Sequence, residues 1–394
     1  MKDLKRTILA GILCAAAAAS VCGEEAPATA VQTLVRAMDL LQERGVIAGP
    51  ERLEAGMLSN LVHAADPGGV LLGPEDLSCR EQEARGQWGM PGLHFMVTNG
   101  SFAIAAPAPE PCRPGDVLEL VDGQGIRGLP EEEVWRLLAG NTSEEARLTV
   151  RREGSTEHEI VLPRIAAPIP PVAASEKISP ETGYIKLYGC HPGTADALRP
   201  ILQEWKTSGV YGVVLDLRSA AGASREETCR ILSQFFPSER ELFRMVPLSG
   251  DPEICLSEGA SPRTLPTMVL VDETTAGGAE LLAAGLQSSE TGTMILGRRT
   301  AGDFLLREVL ELNGSHAMLV ASRILKFPDG REYRANEGLT PDIVVEGRPS
   351  GATDQAEEEI HPRLKNDPAL RRACDLLQGL RVLKIKFRED STNP

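Results

Sequence analysis

Aromatic side chains are scarce: Phe, Trp and Tyr make up 4% of the 394 residues. Ring platforms that stack sugars or single-stranded bases are therefore disfavoured. The net charge is −15 and no Lys/Arg run occurs, which excludes nucleic acid as the natural partner. The 6 histidines are scattered singly, and no Cys-x-x-Cys or Cys/His spacing is present. Neither a metal nor another cofactor is expected from such a pattern. Beyond the N-terminal residues no apolar run is long enough to cross a bilayer, and no internal repeat is evident.

What is present begins with Lys2, Lys5 and Arg6, followed by the apolar stretch "TILAGILCAAAAASV", Thr7 to Val21. This run is too short to span a membrane comfortably, and Val21 and Gly23 fit the −3 and −1 positions of a cleavage site. Residues 1–23 read as a signal peptide of a protein exported to a periplasm or cell envelope, with no integral membrane segment after its removal. A retained anchor is the alternative. Cys14 and Cys22 would leave with the leader; Cys79, Cys112, Cys190, Cys229, Cys255 and Cys374 remain. An oxidising compartment permits disulfides, but spacing does not give their pairing.

The chain is too long for one ordinary core. Residues 30–62 carry helical periodicity, with Val31, Leu34, Val35, Met38 and Leu41 on one face. A second helix starts at Pro50 and stops before Pro67. From about Gly86 the pattern turns to short strands, Gly92 to Val97, Asp116 to Gly123 and Ala146 to Gly154, with a helix over Pro130 to Gly140. "APIPPV", Ala167 to Val172, reads as a stiff linker. After Gly183 buried strands alternate with helices, which implies a parallel or mixed sheet covered by helices. A β-rich part over 306–345 has turns at Asn313-Gly314 and Pro328-Asp329-Gly330, and a closing helix covers Asp367 to Leu380. The fold class is α/β, in an α+β multidomain chain.

Within the alternating part, "VDETTAGGAELLAAGLQ" (Val271 to Gln287) reads as a buried strand, a tight turn and a helix. Such turns mount nucleophiles in many hydrolases, because backbone N–H groups converge there. Here the turn holds Ala276, Gly277 and Gly278.

The order "GMLSNLVHAADP", "GYIKL", "GVVLDLR", "VLVDETTAGGAELLAAGL", "GRRTAGD" and "EGLTPDIVV" resembles that of the C-terminal processing peptidases, or tail-specific proteases. The resemblance implies a helical segment (24–80), a PDZ domain (81–166), a ClpP/crotonase-like α/β core with a β-rich end (167–350) and a C-terminal helix and tail (351–394). It implies peptide or protein C-termini as ligands, held by the loop Gly92-Leu93-His94-Phe95, and leaves room for a homo-oligomer. In that family a serine in "SASASE" attacks, and a neutral lysine in "FGKG" takes its proton. Laid on this chain, the nucleophile position is Gly277, the general-base position Asp303 and the supporting position Arg307. The oxyanion region falls on Gly222, Ala223 and Gly278.

Glycine has no side chain with which to attack a carbonyl, and aspartate is a far weaker base than a neutral amine. The resemblance therefore implies a serine peptidase homologue with its dyad substituted: a pseudopeptidase that binds tails or partner proteins. The alternatives are a working serine endopeptidase with a rescued nucleophile and a purely structural envelope component. Thr275 with His191 is the best substitute pair; Thr274, Ser219 and Ser224 are others. Each has a plainer role, Thr274 and Thr275 as turn residues, Ser224 as a helix N-cap and His191 as a solvated loop residue. Asp303 and Arg307, four apart on an expected strand, would form an ion pair. Asp303 could also accept N–H bonds from the helix start at Gly277.

Overall fold

The computed structural model describes residues 50–98, 100–152, 156–258, 265–287, 292–313, 316–346, 361–365 and 367–390, with a few positions between 33 and 44. The leader at 1–23, most of the first helical stretch, Gly314 of the Asn313-Gly314 turn and residues 351–360 lie outside the described residues. The chain divides into two units, 1–65 and 66–394. In the first, α1 spans Pro50–Ala65. Proline suits the first turn of a helix, and the Asp66-Pro67 step disfavours its continuation.

The second unit opens with β1 (Val70–Leu72), α2 (Pro74–Ala84) and β2 (Gln87–Met90). An antiparallel sheet follows, built from β3 (Phe95–Thr98), β4 (Ser101–Ile104), β5 (Val117–Val121), β6 (Gln124–Gly125), β7 (Glu145–Arg152) and β8 (Thr156–Pro163), with α3 (Glu131–Leu138) before β7. The order is β3-β4-β5-β7-β8, with β6 beside β5, so β3 is an edge. Alternation sets the register: Ala146, Leu148 and Val150 of β7 turn inward, while Glu145 and Arg147 are exposed. The expected linker proves to be partly a strand. β9 (Ile165–Pro168) pairs with β2, placing Ala167 opposite Trp88. A two-stranded sheet is all edge, so Pro168 needs no second ladder partner.

The core sheet runs β10 (Ala174–Ser179), β11 (Thr182–Lys186), β12 (Gly212–Asp216), β15 (Thr267–Val271), β16 (Met294–Gly297) and β21 (Ile343–Val344). All but β10 are parallel. Helices α4 (Thr194–Thr207), α5 (Arg225–Leu232) and α6 (Gly277–Leu286) connect its strands, and α7 (Pro362–Lys365) precedes the long α8 (Pro368–Asp390). Alternate strand residues serve opposite faces. Ile185, Val213, Leu215, Val269 and Val271 pack with α4, α5 and α6. Tyr184, Val214, Met268 and Leu270 pack with Ala369, Leu370, Ala373 and Leu377 of α8. Burial on both faces explains the unbroken apolar reading of these strands. α8 continues ten residues past the expected end at Leu380, since no breaker follows Gly379. β13 (Glu241–Pro247) and β14 (Glu253–Leu256) join β19 (Arg323–Lys326) and β20 (Glu332–Tyr333) in the order β14-β13-β19-β20. β17 (Arg307–Asn313) and β18 (His316–Ala321) form a three-stranded sheet with β1. Cys229 of α5 and Cys255 of β14 form a disulfide.

A buried charge cluster ties the layers together. Asp216, at the end of β12, accepts from Tyr184 Oη at 2.8 Å and from Arg218 Nε at 2.9 Å. Arg218 reaches on to Asp367 at 2.6 Å, and Asp367 caps α8 through the Leu370 N–H at 3.0 Å. Lys186 of β11 meets Glu133 of α3 at 2.8 Å, and Tyr188 Oη donates to the Glu132 carbonyl at 3.0 Å. Burial opposes ionisation of Asp216, but Arg218 and Lys186 outweigh it and hold the carboxyl far below the usual range. A carboxyl depressed in the folded state stabilises fully above its unfolded pKa, and this contribution fades as pH falls below ~4. Replacing Arg218 removes the larger of the two charges that compensate buried Asp216, leaving it Lys186 and the Tyr184 hydroxyl. Arg218→Met should therefore lose about 3–5 kcal/mol at neutral pH. Urea unfolding followed by far-UV circular dichroism checks this, and the variant's stability should fall less on acidification than the wild type's.

Candidate functional site

β15 delivers the chain into the turn that the sequence singles out, and Asp272 builds that turn. Its Oδ1 accepts from the N–H groups of Thr274 and Thr275, both at 3.0 Å, and from Ser219 N at 3.1 Å. Thr275 is fully buried; its hydroxyl donates to the Leu217 carbonyl at 2.8 Å and accepts from Asp272 N at 3.0 Å. Those bonds lock the turn and leave the hydroxyl facing no substrate. Thr274 Oγ1 is likewise held, 2.8 Å from Asp272 and 3.1 Å from Ser219 Oγ.

At the start of α6, Ala276 is extended and Gly277 takes φ +55°, a left-handed conformation that suits glycine. A Cβ on Gly277 would lie 2.8 Å from the Gly222 carbonyl oxygen, 3.3 Å from Leu305 Cδ2 and 3.5 Å from Asp303 Oδ2. The expected nucleophile and base positions are therefore neighbours, and Leu305 crowds the first of them.

The Ala220–Gly222 segment closes the end of this helix. Ala276 N–H donates to the Ala220 carbonyl at 3.0 Å, Gly278 N–H to Gly222 at 2.8 Å and Ala279 N–H to Ala221 at 3.2 Å. Gly222 has φ +116°, and a Cβ there would sit 2.6 Å from Cys190 N, so only glycine fits. Ser224, two residues on, caps α5 by accepting from Glu227 N at 3.1 Å. An oxyanion site needs donors aimed at empty space. Here the Gly278 N–H, the expected donor, is spent on the chain's own carbonyl.

Glu280 fixes the facing loop. Its side chain is fully buried. It bonds Thr300 Oγ1 and accepts from the N–H groups of Gly302 at 2.6 Å, Asp303 at 2.8 Å and Phe304 at 3.2 Å. Burial raises its pKa, and these hydrogen bonds only partly oppose that rise. Within the loop Leu306 N–H donates to the Asp303 carbonyl at 3.0 Å, across Phe304 (φ +49°) and Leu305 (φ +58°). Two bulky residues in this region are strained by about 1–2 kcal/mol each. Packing holds them there: Phe304 is fully buried and its ring lies 4.7 Å from that of Tyr333.

Two expectations about charge need correction. Asp303 does not share a strand face with Arg307; it lies in the turn, and Arg307 opens β17. They do pair, at 3.5 Å, but Arg307 is held more closely by Asp66 at 2.9 Å and by Asn336 Oδ1 at 2.7 Å. Burial alone would raise the Asp66 carboxyl, yet Arg307 and the N–H groups of Gly68 and Ala321 hold it below its ordinary value. His191 is no solvated loop residue: it is 5% exposed, beside the Trp88 ring. Burial pushes its pKa down to about 4, and Nδ1 has no hydrogen-bond partner. With Thr275 bonded to Leu217 and Asp272, no hydroxyl–imidazole pair forms between these two.

In the other candidate region, Gly92 takes φ +66°, Leu93 is buried, and His94 is exposed without a left-handed φ. Phe95 opens β3 and meets Phe102 at 5.9 Å and Trp135 of α3 at 5.8 Å. Sequence reasoning missed the role of Glu280 as a clamp. It missed Asp66 altogether, and its only signal was position at the end of a helix.

Glu280→Ala should strand the loop's buried N–H donors and cost about 3 kcal/mol or more. Glu280→Gln keeps one acceptor oxygen and should cost about half as much. Chemical denaturation of the three proteins measures both losses.

Residues 181–345 match the family model described as peptidase family S41. A chloroplastic C-terminal processing peptidase of Tetradesmus obliquus is 26% identical over 309 residues, covering 71% of this chain and 65% of its own. The carboxy-terminal processing protease CtpA of Bacillus subtilis is 26% identical over 235 residues, covering 59% and 50%. Among solved structures, a photosystem II D1 C-terminal processing protease is 23% identical with a TM-score of 0.49, over 84% of this chain and 91% of that one. The chain thus spans about half to two-thirds of the length of these two sequence relatives. Residues 181–345 are thus similar to peptidase family S41, and the chain is similar to the C-terminal processing proteases.

Proposed function

We propose that this chain is a catalytically impaired S41 homologue that binds peptide tails or partner proteins without cutting them. One observation carries the reading: the Gly278 N–H is bonded to the Gly222 carbonyl, directly beside a residue with no side chain. Asp303 supplies no neutral amine, and its carboxylate pairs with Arg307. In a serine protease, loss of the nucleophile alone costs on the order of a millionfold in kcat. Active proteolysis is favoured only by the likeness to named proteases, and Thr275, the best substitute, is bonded into its turn.

Residues 81–166 are read as a PDZ domain that captures C-termini. The left-handed Gly92, the edge position of β3 and the nearby helix α3 support an extended peptide adding to that edge, its carboxylate at Gly92–Phe95. The remaining division is a leader (1–23), a helical segment (24–80), the α/β core (167–350) and a tail (351–394). The basic residues and apolar run at the N-terminus support export to a periplasm or envelope. No helix among the described residues is long and apolar enough to cross a membrane. Detection of an intact Met1 in protein purified from its host would contradict leader removal.

A fluorophosphonate probe should leave the purified protein unlabelled. Gly277→Ser should also stay unlabelled, since its new side chain meets the Gly222 carbonyl and φ +55° strains it. Gly277→Ser with Asp303→Lys should regain little, because the Gly278 N–H stays engaged. Labelling of the wild type would overturn the reading. For tail capture, fluorescence anisotropy with one apolar peptide, free or amidated at its C-terminus, should show binding to the free form only. Equal affinity for both, or none for a diverse set, would remove it.

A further inference from the structure

A groove of about 330 Å3 lies away from the α6 turn, between α5 and the edge strand β14. Arg225, Glu226 and Arg230 line one side and Glu253 the other, with Phe243, Ile254 and Leu256 adding apolar wall. Both halves of the Cys229–Cys255 disulfide also line it. Exchange at a disulfide requires a thiolate to reach one sulfur, and the groove provides that access.

The bridge is mechanically connected to the closed helix start. Cys229 lies in α5, a helix of eight residues that is too short to be stable alone. Its neighbour Thr228 is fully buried, with Oγ1 2.9 Å from the Ser224 carbonyl and 3.4 Å from that of Gly278. Ser224 caps α5 and follows the Ala220–Gly222 carbonyls that accept from the start of α6. On its other side the bridge grips β14, whose one neighbour in its sheet is β13. α5 is therefore held between an edge hairpin and the segment that closes α6.

We propose that Cys229–Cys255 is a thiol-exchange site, and that its reduction loosens the closure of the α6 N-terminus. A thiolate of a dithiol reductant attacks one sulfur, the S–S bond breaks, and the displaced cysteine thiolate takes a proton. The reductant's second thiol then attacks the mixed disulfide and releases the other cysteine. The reductant leaves as a disulfide, and the protein gains two electrons and two protons. With the covalent tie gone, only the Arg225–Glu253 ion pair, among the described residues, still joins the side chains of α5 to β14; α5 then frays more readily, and the 220–224 segment gains the freedom to swing its carbonyls away.

Dithiothreitol on the folded, full-length protein tests this. Differential alkylation with mass spectrometry reports whether the bridge opens. Amide exchange read by NMR at Ala276, Gly278 and Ala279 reports whether the closure loosens. On reduction these amides should exchange about tenfold faster while those of β12 and β15 stay unchanged, and reoxidation should reverse the effect. Cys229→Ser/Cys255→Ser should exchange at the faster rate with or without the reductant. Should that variant fail to fold, the reduced and reoxidised wild type decides. An opened bridge with unchanged exchange would make the disulfide a simple staple and overturn the proposal. So would a bridge that opens only when the whole chain unfolds. Neither readout depends on whether the protein cleaves peptides.

Discussion

The hydrogen bond from Gly278 N–H to the Gly222 carbonyl, at 2.8 Å, is the constraint on which the site depends. A helix N-terminus presents unsatisfied donors and partial positive charge, and it becomes chemical machinery only if those donors face a substrate. Here Ala220, Ala221 and Gly222 meet them from within the chain. The same approach dictates local sequence. Gly222 must be glycine to pass Cys190, and a Cβ on Gly278 would lie 2.9 Å from Thr228 Oγ1 and 3.0 Å from Cys190 Cβ. The closure is thus packed in from several sides.

Charge is placed around this closure in structural roles. Glu280 spends its carboxylate on the loop that carries Asp303, and Arg307 spends its guanidinium chiefly on Asp66 and Asn336. Strain at Phe304 and Leu305 is held by burial against Tyr333 and by the same glutamate. Strained backbone often marks function. In this site it brings Leu305 Cδ2 within 3.3 Å of where a Cβ on Gly277 would lie.

Much of this was legible in the sequence. The core strands announced themselves as continuous apolar runs because both their faces are covered, and Gly277 and Asp303 could be set side by side from motif order. What escaped reading has physical causes. The direction of the Gly222 carbonyl is a backbone torsion that leaves no periodic trace. The Asp66–Arg307 pair spans 241 positions, which no local pattern reports. His191 looked solvated because a lone polar residue after a strand usually is, but the packing of Trp88 covers it. The proline-rich stretch Ala167 to Val172 reads as a linker, since nothing in it shows that β2 supplies a partner to its first residues.

Hydrolysis itself is the most direct measurement. The full-length wild type and Thr275→Ala would be incubated with an unfolded protein substrate and the products read by mass spectrometry. An intact substrate with both proteins is the predicted result. Cleavage by the wild type that disappears in Thr275→Ala would identify a working nucleophile and contradict the closed site.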